Sequence, residues 1–327
     1  MINRRSVIAS LTAVGAPLLL IERALAQLTG NAFIISGFPA GGMGDLVSRP
    51  LAEKMRGSYA GNVLVESKVG AGGRLAAEFV KRANPDGRTI LQIPSSIMVL
   101  YPHIYKNLAY DPFVDFAPVT NTVTYVFSFT ASAALPASVR TVADYVTWAR
   151  ANPNNSSYGI PAAGSALHFA GMLLQRVTDM PFAAVPYRGG APLLTDMLAG
   201  VIPVSFNVLG EVLPHIQSGK LRSLGICSAE RSTFLPDVPT MREQGFPDIA
   251  FTEWLGWFLP ARTPPEIINK LNALVRETLQ TPDMVASLAN SALEPDPRTP
   301  DQFAGLIKRD YDKWAGIVKT TGFTMTD

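Results

Sequence analysis

The chain reads as an α/β protein of two lobes, each a mostly parallel sheet flanked by helices. Three observations carry that reading. Short apolar runs alternate with amphipathic stretches along the chain, and such alternation implies βαβ units and mostly parallel pairing. Two glycine-rich turns share a pattern: GFPAGG at 37–42 and GIPAAG at 159–164 match at Gly37/Gly159, Pro39/Pro161, Ala40/Ala162 and Gly42/Gly164, and each leads into a helix. Finally, 327 residues with 47% hydrophobic and 17% charged content suffice for about two domains with a large core, which is not the composition of a disordered chain.

The first 26 residues stand apart. Arg4 and Arg5 precede an uncharged run over 6–21, and Ala24-Leu25-Ala26 follows. A basic start, an apolar middle and a small-residue site read as a secretory signal peptide cleaved after Ala26. A membrane anchor is the rival reading, but the run is shorter than the roughly 20 residues of a spanning helix and Pro17 interrupts it. The arginine pair resembles a twin-arginine signal, although its flanks match poorly. Cleavage removes three arginines and one glutamate, leaving 25 basic and 25 acidic residues. No basic stripe or aromatic-basic interleaving points to nucleic acid. No second apolar stretch is long enough to span a bilayer, so the mature chain is expected to be soluble.

The first unit is FIISGFPAGGMGDLVSRPLAEKM at 33–55. Phe33-Ile34-Ile35 predicts a buried strand, 37–44 a tight glycine turn, and Leu46, Val47, Leu51 and Met55 the apolar face of a helix. A helix that starts after glycines leaves its first N–H groups unpaired at its positive dipole end, where small anions bind. No lysine occurs in the turn to make a Walker A loop, and the glycine spacing is not G-x-G-x-x-G. Asp45 in the first turn would repel phosphate and admit a carboxylate more easily. An ordinary turn with Asp45 as a helix cap explains the same residues.

A short strand at 63–65 leads through Gly70-Ala71-Gly72-Gly73 into a helix reaching about 82; Asn84-Pro85-Asp86-Gly87 is a turn and 89–93 a strand. Residues 107–118 lack periodicity and predict an extended connector, with a strand at 125–130 beyond it. Thr141 and Asp144 cap a helix over 141–150. The second glycine turn opens another helix, which carries His168. A strand end at 185–187 precedes a helix begun at Gly190-Ala191-Pro192 and closed by Gly200. Strands follow at 204–206 and before Cys227. After the aromatic stretch 254–260, Thr263 and Glu266 predict a capping box for a helix over 264–280. Helices near 283–290 and over 300–320 complete the chain.

Motifs for chemistry are sparse. His103, His168 and His215 lie far apart with no metal spacing, and neither a G-x-S-x-G elbow nor a β-lactamase-type set is present. Cys227 is the only cysteine, sits in an apolar run, and reads as a core thiol. His168, in the first turn of its helix, is either a neutral hydrogen-bond donor to a ligand or a partly buried helix histidine. Asp196 is either a ligand contact or part of a solvated helix face. Asn207 lies at a strand end, where contacts gather in open α/β sheets.

These pieces together resemble the Bug family of periplasmic solute-binding proteins, the receptors of tripartite tricarboxylate transporters. The resemblance spans almost the whole mature chain. It is carried by Phe38-Pro39-x-Gly41-Gly42-x-x-Asp45 with Arg49, Val65-Glu66 leading to 70–73, Pro85-Asp86-Gly87-x-Thr89, and Tyr110-Asp111-Pro112-x-x-Asp115-Phe116-x-Pro118. It continues through Tyr158-Gly159 with Gly164-Ser165-x-x-His168, Pro186-Tyr187-x-Gly189, Asp196-x-Leu198-x-Gly200, Gly219-Lys220-Leu221-Arg222, Leu235-Pro236-Asp237-x-Pro239-Thr240 and Trp254-x-Gly256. Departures include Ala40 for a usual Pro, Ser67 and Val69 for Asn and Pro, Tyr101 for Asn, and Arg262 for Gly.

The resemblance implies a two-lobed fold of the type II periplasmic-binding class, with 27–123 and 227–327 in one lobe and 124–226 in the other. It implies a small carboxylate ligand (a di- or tricarboxylate, an acidic amino acid or an aromatic acid) bound by lobe closure, without reaction and without cofactor or metal. Phe38, Ala40, Gly41, Gly42, Met43 and Asp45 would face Ala162, Gly164, Ser165 and His168 across the cleft. Ser95, Ser96, Tyr101, Asp196 and Asn207 complete the implied site. A monomer presented to membrane transporter subunits is the implied assembly. A ligand sensor for a signalling partner and an exported hydrolase are the alternatives.

Overall fold

In the computed structural model the described residues are 28–180 and 182–325; the leader assigned to 1–26 lies outside them. The first lobe starts with β1 (Leu28–Ser36), α1 (Met43–Met55), β2 (Ala60–Ser67), α2 (Arg74–Lys81) and β3 (Thr89–Pro94). Two short helices, α3 (Ser95–Val99) and α4 (Tyr101–Ile104), precede the long strand β4 (Phe116–Tyr125). The second lobe holds β5 (Phe127–Ala131), α5 (Val142–Ala151), β6 (Tyr158–Ile160), α6 (Ala166–Thr178), β7 (Ala184–Pro186), α7 (Gly190–Leu198), β8 (Val204–Val208), α8 (Leu209–Gln217) and β9 (Arg222–Ile226). The chain then returns through β10 (Glu253–Pro260), α9 (Pro265–Leu279), α10 (Pro282–Ala289), β11 (Glu294–Pro295) and α11 (Pro300–Thr321). Among the described residues no helix is long and apolar enough to cross a membrane.

Two sheets result, in the orders β11-β4-β10-β3-β1-β2 and β7-β6-β8-β5-β9. The expected parallel pairing covers only β2-β1-β3 and β7-β6-β8. The other ladders are antiparallel. The crossings between lobes explain the difference. Strand β4 carries the chain out of the first lobe and β10 brings it back, so side by side they run oppositely; β5 and β9 do the same in the second lobe. The outward crossing is a break at Val126, where the sequence predicts an unbroken strand over 125–130; the Val126 carbonyl accepts the Leu209 N–H at 3.0 Å. On the return, Cys227 N–H donates to Phe127 and Gln244 Nε2 to the Leu224 carbonyl. The chain therefore stays with the second sheet well past Ile226.

Apolar burial joins these layers. Ile34, Ile90, Leu91, Trp257 and Leu259 lie at full burial in the first sheet, and Phe129, Tyr158 and Phe206 in the second. Such side chains each contribute roughly 1.5–3 kcal/mol on transfer from water. Cys227 is a buried free thiol at the end of β9, and burial raises its pKa, as expected of a core cysteine. Two helix starts test the expected caps. Thr141 and Asp144 form the capping box of α5. Thr263 does not cap α9: its hydroxyl donates to the Pro260 carbonyl at 2.8 Å, and the helix begins at Pro265 after the N-cap Pro264, without a side-chain cap. Proline needs no donor partner there, so the cap is dispensable.

The glycine turns exist because backbones meet. A Cβ on Gly37 would stand 2.7 Å from the Gly73 Cα, so the 37–44 and 70–73 turns pack main chain on main chain. Gln92 fixes the first turn from below. Its Nε2 donates to the Gly44 carbonyl at 2.9 Å, and its Oε1 accepts from Trp257 Nε1 at 2.9 Å. A buried indole needs such a partner, and here the partner reaches the start of α1.

Candidate ligand-binding site

Between the lobes lies a cavity of about 90 Å³ with walls from both sheets. Its first-lobe side includes Phe38, Gly42, Met43 and Gly44 at the start of α1. Its second-lobe side includes Gly189, Gly190 and Ala191 at the start of α7. Neither N-cap residue, Gly42 nor Gly189, supplies a side-chain cap. Two positive dipole ends, one per lobe, thus converge on one small space. Apolar groups such as Ile97, Tyr125, Val208 and Leu255 form much of the remaining wall.

The start of α6 is arranged differently. Ser165 Oγ accepts the His168 N–H at 3.3 Å, His168 Nδ1 accepts the Gly164 N–H at 3.1 Å, and Ser96 Oγ accepts the Ala166 N–H at 3.3 Å. Two of its first three N–H groups, those of His168 and Ala166, already have partners. The last of these bonds joins α3 of one lobe to α6 of the other.

Two glutamates enter the cavity wall. Glu253 is buried; its Oε1 accepts the Ser96 N–H at 3.0 Å and both the Ser95 and Ser96 hydroxyls, and its Oε2 accepts Tyr125 OH at 3.0 Å. Burial raises its pKa, against the lowering effect of those hydrogen bonds. Glu211, in the first turn of α8, accepts the Met43 N–H at 3.4 Å across the lobes. It lies so near α7 that a Cβ on Gly190 would be 2.0 Å from its Oε2. Burial pushes its pKa up to about 7, opposed only by the Met43 N–H. Among the described residues no lysine, arginine or histidine lines the cavity.

Of the residues expected from the sequence, Phe38, Gly42, Met43, Ser96, Tyr101, Ala162 and Ser165 line this space. Tyr101 is buried and donates to the Gly72 carbonyl at 3.1 Å, and its phenol pKa is raised by burial. Asp45 lies behind the turn: its Oδ2 accepts the Gly41 N–H and Arg49 Nε, each at 2.9 Å. Ala40 and Gly41 are exposed beyond the lining. Ser95 acts through Glu253. Gly164 and His168 stand outside the lining, with the His168 ring edge-on to Phe323 at 5.0 Å. Burial lowers the His168 pKa to about 4, so the ring is neutral. Asp196 accepts Tyr187 OH at 2.8 Å on α7. Asn207 is buried; its Oδ1 accepts the Ser205 hydroxyl, and its Nδ2 has no hydrogen-bond partner.

Sequence reasoning missed Gly189 to Ala191 as a wall, and it missed Gln92, Tyr125, Glu211 and Glu253. The uncapped start of α7 was legible in Gly189-Gly190-Ala191-Pro192, which lacks any capping side chain. Glu211 follows a strand end by three residues, a readable position. Glu253 carries no local signal, because its partners lie 128 to 158 residues away in sequence. An outer groove of about 590 Å³ adjoins the cavity through Phe38, Pro39, Pro161, Ala162 and Gly189. Among the described residues no cluster of His, Cys, Asp or Glu could hold a metal ion.

Comparison with known proteins agrees with this architecture. Residues 47–323 match the family described as the tripartite tricarboxylate transporter family receptor. Protein BugT of Bordetella pertussis (strain Tohama I) is 32% identical over 290 residues, covering 88% of each chain. Among solved structures, Rpa4515 of R. palustris with adipate superposes with a TM-score of 0.85 at 28% identity, over 90% of this chain and 98% of that one. MatC from Rhodopseudomonas palustris with bound malate gives 0.79 at 27%, over 88% and 98%. The chain therefore belongs to the tripartite tricarboxylate transporter receptor family, the TctC and Bug group of periplasmic solute-binding proteins.

Proposed function

We propose that this protein is a periplasmic receptor that captures a small organic acid between its lobes, without reacting with it, and presents the closed form to transporter subunits in the membrane. The observation that carries this reading is the convergence of two uncapped helix starts on one enclosed cavity. Their N–H groups supply donors for a carboxylate, and each charge-assisted hydrogen bond contributes roughly 1.5–3 kcal/mol. The cavity size favours a compact ligand. The adipate and malate in the two R. palustris neighbours support the same class. Binding would shift an open–closed equilibrium toward the closed form. Export through the leader at 1–26 and action as a monomer belong to the same proposal.

A thermal-shift screen against small carboxylates tests it. A ligand at 100 times its dissociation constant stabilises the fold by about 2.7 kcal/mol. Hits among small acids and none among sugars or phosphates are expected. A protein stabilised only by sugars, or one that turns over ester or amide substrates, would overturn the reading.

A further inference from the structure

Glu211 places the protein's own carboxylate where a ligand carboxylate is expected. It reaches from α8 in the second lobe to the Met43 N–H in the first, and its Oε2 packs on Gly190 at the start of α7. An anionic ligand entering between the two helix starts therefore lies against a carboxylate. Among the described residues no cationic side chain lines the cavity to offset two like charges, and like charges sharing a poorly hydrated site cannot both remain ionised. Glu253, the other acid in the wall, is already occupied by Ser95, Ser96 and Tyr125.

On the reading of the protein as a small-acid receptor, we propose that Glu211 is a specificity-determining residue that selects α-amino acids with uncharged side chains over the matching hydroxy acids and over dicarboxylates. An α-ammonium is held beside its own carboxylate by covalent geometry. The carboxylate can take N–H groups at the starts of α1 and α7 while the ammonium meets Glu211 and supplies the missing positive charge. The rest of the wall is largely apolar, from Phe38 and Ile97 to Val208 and Leu255, and offers no cation for a second carboxylate. A hydroxy acid gives Glu211 only a neutral donor, and a desamino acid gives none.

Calorimetric titration at pH 8 tests this with alanine, serine, valine and leucine, each beside its 2-hydroxy and desamino counterparts, together with succinate and malate. A charged donor should favour at least one amino acid over its hydroxy counterpart by about tenfold, since each 1.4 kcal/mol is a factor of ten. Glu211→Gln and Glu211→Ala should each bring that ratio near one and improve succinate binding; melting curves verify that both variants fold. A glutamate that only ties the lobes together would change all affinities alike and leave the rank order intact. Wild-type protein binding succinate or malate at least as well as every amino acid, or a preference that survives in both variants, would overturn the assignment while leaving a small-acid receptor standing. Failure of every compound with all three proteins would remove the receptor reading and this assignment with it.

Discussion

Glu211, Gly190 and His168 are the residues whose chemistry is set most by their surroundings. Between about pH 4.5 and 7 the folded chain holds a proton on Glu211 that the unfolded chain has released, so this residue makes stability fall as pH rises through that window. Melting temperatures of wild-type and Glu211→Gln protein across pH 4 to 8 should therefore diverge, with the variant gaining at the alkaline end. His168 acts in the opposite sense. Its folded pKa of about 4 lies below the ordinary 6.5, so its contribution is complete above pH 6.5 and is lost as pH falls toward 4. Glutamine at 168 keeps an acceptor for the Gly164 N–H and should flatten that acid limb. Because the ring faces Phe323 and not the cavity, His168→Gln should also leave ligand affinity within about twofold, as titration would reveal. Gly190→Ala places a Cβ 2.0 Å from Glu211 Oε2. The obstructing atoms are the end of the Glu211 side chain, which must swing off the Met43 N–H, so urea denaturation should register a loss of about 1 kcal/mol, the worth of that hydrogen bond, with weakened ligand binding.

At the scale of elements, the decisive contrast is between helices with and without caps. The start of α6 is capped by Ser165 and Ser96 and that of α1 gives its Met43 N–H to Glu211, whereas α7 has no side-chain cap among the described residues. Ser165→Ala should cost about 1 kcal/mol of stability, the worth of a lost cap, measured by chemical denaturation. The motif repeat between 37–42 and 159–164 points to α6 as the partner of α1, and the cavity has the start of α7 on its wall as well as Ala162, Ser165 and Leu167 at the start of α6. The repeat records a shared turn shape; which N–H groups are left open depends on Ser96, 70 residues from Ala166. The capping box of α5 was legible because both of its members are local. That of α9 was misread because local residue types cannot show Thr263 turning back to Pro260. Gln92 couples elements in a similar way: Gln92→Leu would strand the Trp257 indole N–H and leave the Gly44 carbonyl to the Ser48 hydroxyl, costing about 1–3 kcal/mol in denaturant melts and loosening the start of α1.

For the whole molecule, the two-sheet plan followed from alternation in the sequence, while strand direction did not. Parallel pairing is a property of each βαβ unit; the antiparallel half of each sheet arises from strands that leave one lobe and enter the other, and only the complete path reveals this. The same crossings place Gly42 and Gly190 at one cavity although 148 residues separate them. They also put Glu253 under Ser95 and Ser96, a contact no local pattern announces. The central claim, that the lobes jointly hold a small acid at the starts of α1 and α7, is tested most directly by a crystal structure with a bound hit from the carboxylate screen. Ligand oxygens within hydrogen-bond distance of N–H groups from both Gly42–Gly44 and Gly189–Ala191 are the expected result. A ligand confined to the outer groove, or one touching a single lobe in a closed structure, would contradict it.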